Sequence, residues 1–231
     1  MSGPLSGIRI LDLTNVISGP FATMILADQG ADVIKVELPG IGDFVRSTGN
    51  KQGGMSATFL NNNRNKQSIT IDLKDKRGKD VLLKLAESCD VVVQNFRPGV
   101  VERIGIAYDD VKKVKPDIIY LSISGLGEKG PYSQKPTYDP IVQALSGLTT
   151  VQAGSDEERP RLIRTIVPDK VTALTASQAM TAGLLSKYRT GEGQHIRLSM
   201  LDSVIAFMWS SDMGGQTYVG KQVSAQRAAS F

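Results

Sequence analysis

In the first half of the chain, short apolar runs alternate with helix-like segments, and this alternation limits the fold more than any other feature. Residues 8–13 (IRILDL), 32–37 (DVIKVE), 68–72, 91–94 (VVVQ) and 118–122 (IIYLS) have the length and the Val/Ile content of strands. Between them, residues 20–29, 78–87 and a short stretch at 109–114 carry helical patterns. Pro20 suits a first helical turn and Gly30 a C-terminal stop. Strand and helix in alternation predict an α/β fold with a doubly wound, mostly parallel sheet.

The pattern changes after Gly125. Residues 124–140 and 154–168 are rich in Gly, Pro and charge and read as long loops, which tend to carry function. A helix at 171–187 follows, lined with small residues (Ala173, Ala176, Ala179, Ala182, Gly183) that allow close packing. A second helix at 201–213 places Leu201, Val204, Ile205 and Met208 on one face, with Phe207 and Trp209 flanking it. Left in water, such a face favours self-association, so this helix is expected at or near a two-fold dimer interface.

Composition removes several function classes. With 41% hydrophobic and 22% charged residues, the 231-residue chain is globular rather than disordered. No apolar run approaches the roughly 20 residues that cross a bilayer. The N-terminus lacks the pattern of a signal peptide, and the single Cys89 cannot form an internal disulfide, so a cytoplasmic setting without membrane contact is expected. The net charge of +4 is scattered, which suits a small anion better than nucleic acid. One histidine, His195, leaves no basis for a zinc cluster, and no metal site is expected. That histidine follows a Gly-rich turn and reads as a satisfied rim residue at the start of an extended segment, 195–198.

Four segments carry candidate chemistry. Gly125-Leu126-Gly127-Glu128-Lys129-Gly130 satisfies G-x-G-x-x-G after a strand, but Pro131 and more loop follow where a dinucleotide fold needs a helix, so an active-site loop fits better. Asp169 precedes the small-residue helix; it reads either as an N-cap or as a carboxylate nucleophile held ionised at the helix end. Asn95-Phe96-Arg97-Pro98 directly follows the fourth strand, where open parallel sheets gather ligands, and Arg97 suits a phosphate. The loop at 14–19 lies on the same rim and can present backbone N–H groups to an anion.

Together these segments resemble the class III CoA-transferases, a family that also contains 2-methylacyl-CoA racemases. The matching stretches are GIRILDLTNVISGPFATMILADQGADVIKVELPGIGD, NNNRNKQSITIDLKDKRGKD, DVVVQNFRPGVVERIG, SISGLGEKGPY with YDPIVQALSGL, and DKVTALTASQAMTAGLLSKYRTGEGQHIRLSMLD. They run in the family's order to about residue 203. The resemblance implies a Rossmann-like large domain, cut before a small domain. Residues 1–200 would form the CoA-binding unit, and 201–231 a helix and tail leading onward. It implies transfer of coenzyme A from an acyl-CoA to a carboxylic acid, with CoA as substrate and no tightly bound cofactor. Asp169 matches the family's aspartate, which forms a mixed anhydride and then an aspartyl-CoA thioester. Val16, Lys74, Asn95, Phe96, Arg97 and Arg103 match positions that hold CoA. Tyr138 and Asp139 fall on the substrate side, and interlocked homodimers are the family's assembly.

Departures narrow the reading. Leu38 stands where many members have arginine. Ile17 and Thr48 replace the glutamine and tryptophan of formyl-CoA transferase, which argues against oxalate–formate specificity. Tyr138 occupies the position of the racemases' catalytic histidine, and a phenol holds its proton at neutral pH. Three readings stay open: a transferase, a CoA-binding module without turnover, and a racemase.

Overall fold

The computed structural model describes residues 3–155, 157–218 and 220. The elements run β1 (Arg9–Asp12), α1 (Ser18–Asp28), β2 (Asp32–Glu37), a 3-10 turn (Phe44–Ser47), β3 (Lys51–Gln52), β4 (Met55–Ser56), α2 (Ala57–Asn63), β5 (Lys66–Thr70) and α3 (Lys76–Ala86). They continue with β6 (Val91–Gln94), α4 (Val100–Ile104), α5 (Tyr108–Val114), β7 (Ile119–Ser124), α6 (Asp139–Leu145), α7 (Leu148–Ala153), α8 (Val167–Thr190), β8 (Gln194–Ser199) and α9 (Met200–Trp209).

Six strands form one sheet in the order β5-β2-β1-β6-β7-β8, and every neighbouring pair is parallel. The α/β, doubly wound expectation holds. From β1 the chain winds outward to β2 and β5, then returns to the other side of β1 for β6, β7 and β8. Connections reverse direction between β1 and β6, which opens a crevice at the carboxyl ends of those two strands.

Alternating strand residues feed two cores. On one face Ile10, Val33, Val91, Val93, Ile119 and Leu121 pack beneath α1, α8 and α9. On the other, Leu11, Val36, Val92 and Tyr120 meet Leu82 of α3, Val101 of α4 and Val111 of α5. Gly183 lets α8 lie close to the sheet, because a Cβ there would fall 3.0 Å from Ile196 and 3.1 Å from Ile119.

Some element bounds differ from the sequence expectation for identifiable reasons. The third sheet strand starts at Lys66 rather than 68, because the Lys66 ammonium is buried against Asp12 at 3.0 Å and the residue behaves as an interior position. Helix α8 starts four residues early, at Val167, with Pro168 accommodated in its first turn. Asp169 is therefore inside the helix, and Ile166 holds the N-cap position; the cap reading of Asp169 is corrected. Asp139 and Pro140, read as the end of a loop, open α6, and the stretch after them, given no element in the sequence reading, forms the rest of α6 and α7.

Helix α9 corrects a second expectation. Val204 and Met208 are fully buried in the chain's own core and Leu201 packs at its margin, so this face is already covered by α8 and the sheet. The stripe belongs to the chain's own core, while Phe207 and Trp209 on the same helix are exposed. Val204→Ala should accordingly cost about 2 kcal/mol in urea unfolding, the transfer of two methyl groups plus a small cavity. A loss under about 0.5 kcal/mol would contradict this placement.

Candidate active site

At the crevice, the loop after β1 is tied down from three directions. Asn95, just past β6, accepts the Asn15 N–H at 2.9 Å and donates to the Asn15 carbonyl at 2.8 Å. Asp43 accepts the Val16 N–H at 3.1 Å. Lys35, in the middle of β2, donates to the Thr14 carbonyl at 2.7 Å and pairs with Asp43 at 3.0 Å, with both side chains buried. This bracing holds Val16 at φ 71, a left-handed conformation that a β-branched residue adopts only under constraint. Gly19 permits the tight turn into α1: a Cβ there would sit 2.3 Å from the Thr14 side chain.

Beneath the loop lies an ionic layer. Asp12 is fully buried. Burial opposes its charge, but Lys66, Lys35 and the hydroxyls of Thr14 and Thr23 outweigh that and hold its carboxyl well below the usual range. Glu37 is likewise held low against burial, by Arg46, Ser68 and the Asp43 N–H.

Above this layer opens a cavity of about 300 Å³. Val16, Asn95, Phe96, Arg97, Tyr138 and Asp169 line it, so six of the residues named from the sequence meet in one place. Ser18, Ser124, Gly125 and Lys135 complete the working surface. Lys74 and Arg103 are exposed and lie outside the cavity walls. Asp139 stands behind the site, its Oδ2 accepting the Asp169 N–H at 3.1 Å and its Oδ1 accepting from Gln143 at 2.7 Å.

Asp169 is electrostatically unusual. Burial, and then the neighbouring Asp139 charge, push its carboxyl up to about 6, with Ser18 opposing through its hydroxyl and amide. Such a carboxylate is more basic, hence more nucleophilic, than a solvated one, and it still ionises near neutral pH. Arg97 and Lys135 form no ion pair among the described residues, so two cations face the same space as this anion.

The other motifs resolve plainly. Gly125 lines the cavity, while Gly127 and Gly130 adopt positive φ in a loop without a helix start, which excludes a dinucleotide cradle there. His195 lies outside the cavity, half-buried and stacked on Tyr108 at 4.9 Å. Ile17, buried against Val45 and Phe59, points into a small core rather than toward a substrate. Sequence reading missed Ser18, Lys35 and Asp43. Lys35 carried a signal, a lysine inside an apolar strand that must find an acid.

Comparison with known proteins follows the same lines. The family model described as CoA-transferase family III matches residues 5–230. The chain is 48% identical to the succinyl-CoA:glutarate CoA-transferase of Mus musculus, over 88% of this chain and 47% of that protein. It is 40% identical to the acetyl-CoA:oxalate CoA-transferase of Acetobacter aceti, over 89% of this chain and 53% of that protein. Among solved structures, Rv3272 from M. tuberculosis superposes with a TM-score of 0.86 at 36% identity, covering 94% of this chain and 60% of that one. A CAIB/BAIF family protein from Brucella suis gives 0.87 at 33% identity, covering 94% and 58%. The chain spans about half the length of the curated relatives it matches. With its parallel sheet, its strand-end cavity and these matches taken together, the chain belongs to the CoA-transferase family III.

Proposed function

We propose that this chain supplies the CoA-binding half of an enzyme that moves coenzyme A from an acyl-CoA to a carboxylic acid, with Asp169 as nucleophile. One observation carries the reading: a carboxylate raised to about 6 borders a strand-end cavity also lined by Arg97 and Lys135, cations that form no ion pair among the described residues. The Asp169 carboxylate attacks the thioester carbonyl and expels CoA thiolate, leaving an acyl–aspartyl anhydride. The thiolate attacks the aspartyl carbonyl, releasing the donor acid and leaving an aspartyl-CoA thioester. The acceptor carboxylate repeats the sequence in reverse. No general base is required, which suits a cavity without histidine.

Val16, Asn95, Phe96 and Arg97 hold CoA inside the cavity. Lys74 and Arg103 are assigned to the part of CoA that stays in solvent. Tyr138, 65% exposed, borders the acyl group, and Asp139, 3% exposed, supports the site from behind through the Asp169 N–H. The names of the similar transferases, together with Arg97 and Lys135, support a short dicarboxylic acid as one substrate. The chain's span of about half its relatives supports a second reading, CoA binding without turnover until the rest of the fold is present. Residues 1–200 as the CoA unit, 201–231 as a connection, a homodimer and a cytoplasmic setting complete the proposal. Residues 219 and 221–231 lie outside the described ones, and no described helix is long and apolar enough to cross a membrane.

The test offers succinyl-CoA with isotopically labelled glutarate, and separately a 2-methylacyl-CoA in deuterated water. Labelled glutaryl-CoA without deuterium at carbon 2 is expected. CoA binding with no exchange would leave the binding module as the function of this chain. Deuterium wash-in would replace the transferase reading with a racemase.

A further inference from the structure

A buried hydrogen-bond chain runs across three strands toward the cavity wall. The Phe96 backbone N–H donates to Gln94 Oε1 at 2.7 Å, Gln94 Nε2 donates to Ser122 Oγ at 3.0 Å, and Ser122 Oγ meets His195 Nε2 at 2.8 Å. Gln94 is 4% and Ser122 5% exposed. The direction of the chain follows from its first link. A backbone N–H can only donate, so the Gln94 oxygen faces Phe96 and its NH2 faces Ser122. The Ser122 hydroxyl hydrogen then has one acceptor within reach among the described residues, the imidazole. Were His195 Nε2 protonated, that buried hydrogen would be left without a partner.

Gln94 and Ser122 also line a second cavity of about 300 Å³, which shares Phe96, Arg97, Pro98, Ile123 and Ser124 with the first. Phe96, at the end of the hydrogen-bond chain, lines both spaces.

We propose that His195, locked with its proton on Nδ1, acts through Ser122 and Gln94 as a positioning residue that fixes the Phe96 amide and the CoA-facing loop at 95–98. The CoA part of this inference rests on the function proposed above. The groups around the ring agree with a neutral imidazole. Tyr108 stacks on it, Tyr120 meets it edge-on at 5.3 Å, Arg197 faces it from β8, and Glu102 and Asp109 face it from α4 and α5. Burial, then Arg197, push it down to about 4, and the two acids only partly offset this.

Because the chain has one histidine, long-range 1H–15N spectra of the labelled protein read its tautomer directly. The Nδ1–H form is expected, unchanged from pH 5 to 8. In Ser122→Ala, Nε2–H should appear, the Phe96 amide should exchange faster, and CoA affinity by calorimetry should fall about three- to tenfold, the worth of one neutral hydrogen bond. His195→Gln, with Ser122 present, keeps an acceptor near the Nε2 position and should retain Phe96 protection and affinity; His195→Phe should lose both. An Nε2–H imidazole in the unmutated protein, or unchanged Phe96 exchange in Ser122→Ala, would overturn the relay. If the unmutated chain binds no CoA, the CoA reading fails, and tautomer and exchange still decide the relay.

Discussion

Asp169→Ala should abolish a hydroxylamine-sensitive adduct that succinyl-CoA leaves on the unmutated protein, a loss of at least about a thousandfold, with CoA affinity within a few-fold of normal. The contrast follows from the geometry. Asp169 borders the cavity at the start of α8, whereas Asn95, Phe96 and Arg97, the positions proposed to hold the coenzyme, border it just past β6. The attacking species is the carboxylate, and its carboxyl titrates at about 6. Adduct formation should therefore be level above pH 7 and fall about tenfold per unit below 6. Asp139→Asn removes the neighbouring charge that helps raise Asp169, so the falling limb should move to lower pH. Mass spectrometry of the protein after timed exposure reads both effects. An adduct that persists in Asp169→Ala, or a limb unmoved by Asp139→Asn, would defeat the assignment.

The same shift has a stability sign. Asp169 is raised above its ordinary value of 3.8, so the fold prefers it protonated. Its favourable contribution is complete below about pH 4 and is lost as pH rises through about 6, and at pH 7 the ionised group works against folding. Asp169→Ala should then raise Tm slightly at pH 7, as expected where a site holds a destabilised group for chemistry.

Most of the sheet was legible because five of its six strands consist of apolar or alternating runs bounded by turn residues, and parallel order follows from helices between them. What stayed hidden depended on charge pairing or on distance. Lys66 reads as a loop residue until Asp12, 54 positions away, buries it. Helices α2, α6 and α7 have only six or seven residues each, too few turns for a periodic pattern to stand out. Asp169 was found through family resemblance; position alone favoured an N-cap, and only the tertiary contact with Asp139 and the cavity separates the two roles. The α9 stripe shows the opposite error. An amphipathic face is visible in sequence, but what covers it is not, and here the covering partner is the chain's own α8.

The ionic layer beneath the site should be as sensitive as the nucleophile. Asp43→Asn keeps an oxygen for the N–H groups of Val16 and Val45, but it removes the charge and turns an NH2 donor toward the Lys35 ammonium. Lys35 would then be left as an ammonium 1% exposed, with the Thr14 carbonyl as its remaining hydrogen-bond acceptor and Asp12, already paired with Lys66, as the neighbouring anion. Breaking one side of such a pair costs about 3–5 kcal/mol, which for a chain of this length lowers Tm by roughly 10 °C. Lys35→Met added to Asp43→Asn removes the stranded charge and should recover part of that loss, since an apolar replacement of the whole pair is far cheaper than half of it. A thermal shift below about 2 °C in Asp43→Asn would show that the pair contributes little. Asp43→Ala goes one step further by releasing the Val16 N–H. The residue's left-handed conformation, costly on its own, then has only the Asn95 and Lys35 tethers one and two residues upstream. CoA affinity should fall in Asp43→Ala and stay near normal in Asp43→Asn, which separates the buried charge from the bond that shapes the cavity.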